Sequence, residues 1–418
     1  MKLLSSFFDP ASPSKGCKAF VLLVLALLAF SFSSCSSDEE AKKYTVFITV
    51  NYPTGYTQTL ASGVEVKALN AQTGTTTNVT TDANGLAEFS LISGVYKFTI
   101  ASETEEFAFN GILENTTIAK DQSLTIDLSA STLSGGLVIK EIYYVGSLTA
   151  SGGYYYSDQF VEIYNNSDDT IYLDKLILSM IDPITSNSIS SWADTSGVLQ
   201  EKLPLYGFTF YVPGTGTEYP LLPRTSAVIA QDGIDHKSDA AGNANSPVNL
   251  GSASWETYVG DLNGGKDADA AAVPNLSVLY ATSTSSYDFI MSVFGPAVII
   301  AKLPDDVSLT AFTSDDSNFA TKPGTTSSVK YLQIPRSYVI DAVECVNSDV
   351  AKQNKRIPST LDAGYVYTLN TYTSKSLRRK VKQIIDGNVI YKDTNNSTQD
   401  FLLEQTPAPF VHSSVVEE

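Results

Sequence analysis

Residues 137–178, LVIKEIYYVGSLTASGGYYYSDQFVEIYNNSDDTIYLDKLIL, decide how the chain is read. They predict three β-strands: Leu137–Val145, Gln159–Tyr164 and Thr170–Leu178, the last following the polar turn Asn165-Asn166-Ser167-Asp168-Asp169. Val, Ile, Tyr and Phe fill the strands, where branched and aromatic side chains pack well. Gly, Ser, Asn and Asp fill the breaks, where turns need them. The chain downstream is expected to insert into, or complete, the sandwich that these strands begin.

Working outward, 418 residues are enough for two or three domains with real cores. A hydrophobic share of 43%, with 23 Tyr and 19 Phe, excludes a largely disordered chain and favours strands. The net charge of −18 argues against nucleic acid as a partner, because phosphate binding needs clustered cations. The basic knot Lys375-Ser376-Leu377-Arg378-Arg379-Lys380 is too short to reverse that. Cys17 and Cys35 belong to the N-terminal segment and Cys345 stands alone in the body. The predicted fold therefore rests on its cores and not on disulfides.

The N-terminus has basic residues at Lys2, Lys15 and Lys18, then the apolar run Ala19–Phe32, short for a membrane span. Phe32-Ser33-Ser34-Cys35 resembles a bacterial lipobox, which implies cleavage after residue 34 and lipidation of Cys35. Ser36-Ser37-Asp38-Glu39-Glu40 resembles the surface-export signal of Bacteroidetes lipoproteins; a solvated tether over 35–43 is the plainer reading of the same charges. Localisation is expected at the outer membrane, lipid-anchored and facing the cell surface.

Residues 44–130 alternate as short strands, beginning with Tyr44–Val50. Thr81-Asp82-Ala83-Asn84-Gly85 and Ser93-Gly94-Val95-Tyr96 place glycines where hairpins need positive φ. The pattern resembles the prealbumin-like, carboxypeptidase-regulatory-type sandwich module, and that resemblance implies a stalk. After the hinge Ser134-Gly135-Gly136, Lys140-Glu141-Ile142-Tyr143-Tyr144 and Phe160–Asn165 resemble the lamin-tail domain, an immunoglobulin-like sandwich. Residues 136–410 also resemble a Bacteroidetes lipoprotein family, domain of unknown function 4876. The residues that carry this are Gly153–Phe160, Val339–Glu344, Lys355–Pro358, Asp362–Tyr365, Lys375–Lys380 and Asp393–Ser397. The resemblance implies architecture and location but no reaction. The expected fold is all-β, a prealbumin-like sandwich followed by a larger lamin-tail-like one with a long insertion at about 179–335. Loops on a rigid β frame commonly carry recognition, so the insertion is the expected contact surface.

No catalytic constellation emerges. Glu141 and Glu162 sit on apolar strand faces, where a charge is costly unless paired. They read as structural acceptors, with Arg378 and Arg379 as expected partners; a metal-holding or acid–base pair is the functional alternative. Asp261, Asn263, Asp267 and Asp269 are spaced like a calcium loop, but Gly265 and Ala272 occupy positions that should carry ligands. A solvated acidic turn is the expected reading there, with calcium as the alternative cofactor. Asp393–Asp400 is similarly oxygen-rich, and such side chains also cap turns unaided. His236 and His412 are the only histidines, so a serine triad would depend on His236. Cys345, in a strand, reads as buried filler. The aromatic candidates for binding are Tyr154, Tyr155, Tyr156, Trp192, Trp255 and Tyr258, which could equally fill cores.

The expected function is a non-catalytic surface component that binds a ligand or partner, accessory to an outer-membrane nutrient transporter. A carboxylate-based, metal-assisted hydrolase and a structural adhesin are the alternatives.

Overall fold

The computed structural model describes residues 41–417 except Ser134 and Ser196. The segment 1–34, expected to be a signal peptide, and Cys35 lie outside the described residues. Among those described, strands dominate, and no helix is long and apolar enough to cross a membrane. The fold is all-β.

Near the N-terminus, Lys43–Asn51 lies between Leu86–Ile92 and Gln122–Asp127 in a three-stranded sheet. A five-stranded sheet runs in the order Thr76–Thr80, Glu65–Asn70, Gly94–Glu103, Phe107–Ile118, Ser129–Thr132. Val46, Ile48, Phe89, Phe98 and Phe109 pack between them, each buried on the inward step of its strand. Gly85 has the expected positive φ of 66°, and an added Cβ would stand 2.9 Å from the Val50 carbonyl oxygen. Gly94 does not have positive φ. It is small because Asn70 Nδ2 and Gln72 Oε1 come within 2.9 and 3.1 Å of where its Cβ would be.

The larger unit is built on two facing sheets. One has the order Trp255–Glu256, Ser226–Ala230, Phe160–Asn165, Leu137–Tyr143, Ser376–Arg379, Phe401–Gln405. The other has the order Phe319–Thr321, Lys330–Pro335, Lys202–Tyr211, Ile177–Ile181, Ala297–Ala301, Val339–Glu344, with Ser277–Ala281 also paired to Lys202–Tyr211. Ile139, Ile142, Phe160 and Val161 of the first meet Phe208, Phe210, Val298, Ile300 and Val343 of the second in one core.

Two expectations need correction. The third predicted strand is two strands: Ile171–Tyr172 pairs with Pro220–Leu221, and Ile177–Ile181 enters the second large sheet. Between them the chain turns at Lys175, at φ 61°, and Asp174 accepts backbone N–H groups of Gly216, Glu218 and Tyr219. The segment 179–335 is not an appendage to the sandwich, because it supplies strands to both large sheets. Its apolar runs Ala227–Ala230 and Ala297–Ala301 are central and buried throughout.

Both outer faces of this sandwich are covered as well. Ile299, Leu203 and Ile334 meet Phe312 and Ile357 behind the second sheet. Behind the first, Val138 and Tyr164 meet Val381, Val389 and Tyr391, and residues 408–417 cross the same face. That covering buries charge. A bulge makes Lys140 the extra residue, since Glu162 opposes Glu141 while Ile163 opposes Ile139. The bulge resets the alternation, so Glu141 does not share the face of Ile139. Lys140 Nζ donates to Glu162 Oε1 at 2.8 Å and to the Val411 carbonyl at 2.6 Å. Glu141 accepts from Ser376 Oγ and from the Ala408 N–H, and Glu162 accepts from the Phe410 N–H. Burial raises the Glu141 carboxyl to about 7, with the neighbouring Glu162 charge adding to it and Ser376 opposing it.

The expected partnership of these carboxylates with Arg378 and Arg379 is not what forms. Arg378 pairs with Glu417 at the end of the covering segment. Arg379, 1% exposed, reaches Asp341 at 2.6 Å, Asp393 at 3.0 Å and Asp400 at 3.4 Å, and donates to the Ile139 carbonyl. Asp341 Oδ2 also accepts the Ile139 N–H, so one cluster fastens the edge strand of the second sheet to the centre of the first. Asp400 holds Thr394, whose carbonyl accepts from Asn110 Nδ2 of the N-terminal unit. Arg356 does comparable work elsewhere: it pairs with Glu344 at 2.7 Å and caps the carbonyls of Cys345, Gly295 and Pro183.

Two measurements check this account of the buried charges. Arg379→Met leaves Asp341 and Asp400 buried beside no cation and should cost about 3–5 kcal/mol in urea denaturation. Arg336→Met, which removes an exposed pair with Glu201, should cost less than about 1 kcal/mol. For Glu141 the folded carboxyl keeps a proton that the unfolded chain releases. Its contribution to stability therefore falls as pH rises from the unfolded value of 4.5 through about 7. Glu141→Gln should remove that slope, and its advantage over the parent should grow by roughly 3 kcal/mol between pH 4.5 and 7.5.

Candidate functional site

The loops at one end of the first large sheet bring together most of the chemistry that the frame leaves over. Strand Ser226–Ala230 runs into Gln231-Asp232-Gly233, and its parallel neighbour Trp255–Glu256 runs into the loop 257–270. Glu256 ties the two loops, accepting the Gly233 N–H at 2.7 Å and the Ala270 N–H at 2.8 Å. Burial raises its carboxyl to about 7. The third contributor is 286–289, which Asn263 holds by donating to the Ser286 and Tyr287 carbonyls.

These three loops converge on Asp232, Asp267 and Asp288, with one carboxylate oxygen of each within 4.8 Å of the others. Asp267 accepts the Val259 N–H, and Asp288 accepts the Phe289 N–H and the Gln231 side-chain amide. Burial is the largest influence on each and raises all three, Asp232 to about 6; charges within the nook add to it at Asp232 and Asp288, and the Asp269 charge adds to it at Asp267. Chemically the cluster is an all-oxygen, strongly acidic nook.

Of the four residues spaced like a calcium loop, only Asp267 reaches this nook. Asp261 is exposed, Asn263 Oδ1 accepts the Lys266 N–H, and Asp269 accepts from Asn275 Nδ2. The short helix Gly260–Asn263 and the positive φ of Gly264 and Gly265 turn the first ligands of the pattern away. Asp232 and Asp288 were not singled out from sequence. They sit in separate loops, and no local spacing links them.

The aromatic candidates divide sharply. Trp192 is 4% exposed, donates Nε1 to Asp182 and packs edge-on to Tyr331. Trp255 is 6% exposed and packs against Tyr219. Neither is available as a platform, because both indoles fill the space between sheet and loop. Tyr258 is half-buried and its hydroxyl lies 3.5 Å from Asp261 Oδ1. Tyr155 turns inward, its hydroxyl 2.7 Å from His236 Nδ1. His236 Nε2 is 3.0 Å from the Asp232 carbonyl, and burial lowers the ring to about 4, so it is a neutral structural group at pH 7. Tyr154 points out at 70% exposed and stacks on Tyr372, with ring centroids 4.3 Å apart. Tyr156 and Leu148 are exposed beside it, Leu148 directly opposite Tyr154 in a two-stranded ribbon.

The remaining candidates have structural partners. Cys345 is fully buried, and burial raises its thiol well above the usual range. Asp393 and Asp400 serve Arg379. A cleft of about 120 Å³ between Glu103, Asn110 and Thr394 is well below the several hundred Å³ of a typical small-molecule site.

No curated protein matches the chain. The profile of a family described as "Protein of unknown function (DUF4876)" matches residues 222–408. The crystal structure of a DUF4876 family protein from Bacteroides thetaiotaomicron is 27% identical, with a TM-score of 0.58, covering 90% of this chain and 98% of that one. A DUF3823 family protein from Parabacteroides merdae (13% identical, TM-score 0.17, covering 45% and 82%) is also matched. So is the major pilin SpaD of Corynebacterium diphtheriae (12%, 0.17, 34% and 41%). Residues 222–408 are therefore similar to the DUF4876 family, and the chain shares its fold with the Bacteroides thetaiotaomicron member.

Proposed function

We propose that the protein is an outer-membrane lipoprotein, anchored through Cys35 and facing the cell surface, that binds a ligand or partner without catalysing a reaction. In this reading residues 44–130 are a stalk, and the larger unit presents its loops to an outer-membrane nutrient transporter or to that transporter's cargo. The lipobox-like Phe32–Cys35 and the acidic residues after it support the location.

The observation that carries the binding reading is the Tyr154–Tyr372 stack. A large aromatic that is 70% exposed contributes little to folding, and a second ring holds it in place. Tyr372 keeps a left-handed φ of 57°, a conformation unfavourable for a bulky side chain. Strain at the half-buried ring that supports an exposed one fits a group positioned for contact, and paired rings suit flat apolar or sugar surfaces.

The test uses the immobilised full chain and a detergent extract of outer membranes, compared with the double variant Tyr154→Ala/Tyr372→Ala. A specifically retained protein or polymer should be released by the variant, with affinity reduced at least roughly 30-fold, as expected for a central aromatic anchor. Identical capture by parent and variant would contradict the reading. Acyl labelling that survives Cys35→Ala would contradict the anchor.

A further inference from the structure

Among the described residues, the acidic nook of the loop end sets three carboxylates together with no paired cation, whereas several of the buried carboxylates elsewhere have one. Asp341 and Asp400 share Arg379, Glu344 has Arg356, and Glu162 has Lys140. Among the described residues, no Lys or Arg forms an ion pair with Asp232, Asp267 or Asp288. The nearby Lys266 instead places its ammonium over the Tyr287 ring, 4.9 Å from the centroid.

A second, independent observation comes from Gln231. Its side chain is 4% exposed, and its head group stands against the nook, since Nε2 donates to Asp288 Oδ2. Its Oε1 is buried and has no hydrogen-bond partner. A buried amide oxygen left bare costs about 1–3 kcal/mol, so native structures rarely keep one without a reason. An electron-poor partner at the nook would satisfy that oxygen and the three carboxylates together.

We propose that Asp232, Asp267 and Asp288, with the Gln231 side-chain oxygen, form a binding site for a hard divalent cation of the calcium class. All the donors are oxygens, which suits calcium and disfavours zinc or copper, whose sites favour nitrogen and sulfur. The donors come from three separate loops, so the ion would cross-link 231–232, 267 and 288, whose mutual approach otherwise concentrates like charge. The site differs from the Asp261–Asp269 spacing in taking only Asp267 from it. The inference stands apart from the proposed binding role, because its test does not involve Tyr154 or Tyr372.

The experiment is calorimetric titration of the chelator-stripped full chain with calcium chloride alone, then with magnesium chloride alone, at fixed ionic strength. One calcium per chain should bind, with a dissociation constant between about 10⁻⁵ and 10⁻³ M. Asp232→Asn should weaken it at least tenfold, and Asp288→Asn likewise. Asp261→Asn/Asp269→Asn should leave it unchanged. Circular dichroism confirms the fold of each variant. If Asp288→Asn does not fold, Asp232→Asn and Gln231→Leu decide the matter. Absence of saturable calcium binding up to 10 mM (roughly ten times the weakest constant expected), saturation by magnesium alone, or calcium binding that survives Asp232→Asn would overturn the site.

Discussion

A guanidinium cut off from water must be matched by anions that the chain itself holds in place, and Arg379 is in that position. It lies between the two large sheets, bonded to the Ile139 carbonyl on one side and to Asp341 on the other. Asp341 returns the bond to the Ile139 N–H, which fixes how the edge strand Val339–Glu344 meets the central strand Leu137–Tyr143. Asp400 then organises Thr394 and Asn396, and Asn110 of the N-terminal unit reaches that same loop. Apolar burial drives the sheets together without choosing a register. A charge that only one arrangement satisfies does choose one. The burial that raises Asp341 and Asp400 to about 7 makes any other arrangement costly.

The same constraint explains the covering of the first sheet by 408–417. Lys140, Glu141 and Glu162 would be unremarkable on a wet strand face. Beneath the segment they are dry, and the segment's own N–H and C=O groups become their partners. Compensation is thus built into the frame, and the loop end is the exception. There three carboxylates face one another and Tyr154 stands in solvent against Tyr372, features that folding alone does not require. A frame that is over-determined at its centre can hold such features in a fixed geometry, and recognition requires that.

Much of this was legible in the chain. The strands flanking residue 137, the all-β class, and the burial of Cys345 follow from side-chain preferences that act locally. What could not be read depends on pairings between distant residues. The bulge at Lys140 becomes visible only against the partner strand, and it moves Glu141 to the other face. Arg379 reads as a partner for Glu141 or Glu162, because nothing near it in sequence announces Asp341. Trp192 and Trp255 read equally as binding aromatics or as core, and only the packing of distant residues such as Tyr331 and Tyr219 decides for burial. Asp232 and Asp288 are ordinary acidic residues until three loops bring them together with Asp267. The segment 179–335 looked like an insertion because its strands pair with chain far away on both sides.

A double-mutant cycle on Arg379 and Asp341 measures the central constraint directly. Stabilities of the parent, Arg379→Met, Asp341→Leu and the double variant, from urea denaturation at pH 7, give the coupling between the two residues. If this pair locks the sheets together, the double variant should recover much of what either single change loses, with a coupling of at least about 2 kcal/mol. Losses that add to within about 0.5 kcal/mol would mean that the two residues act independently, and would contradict the account.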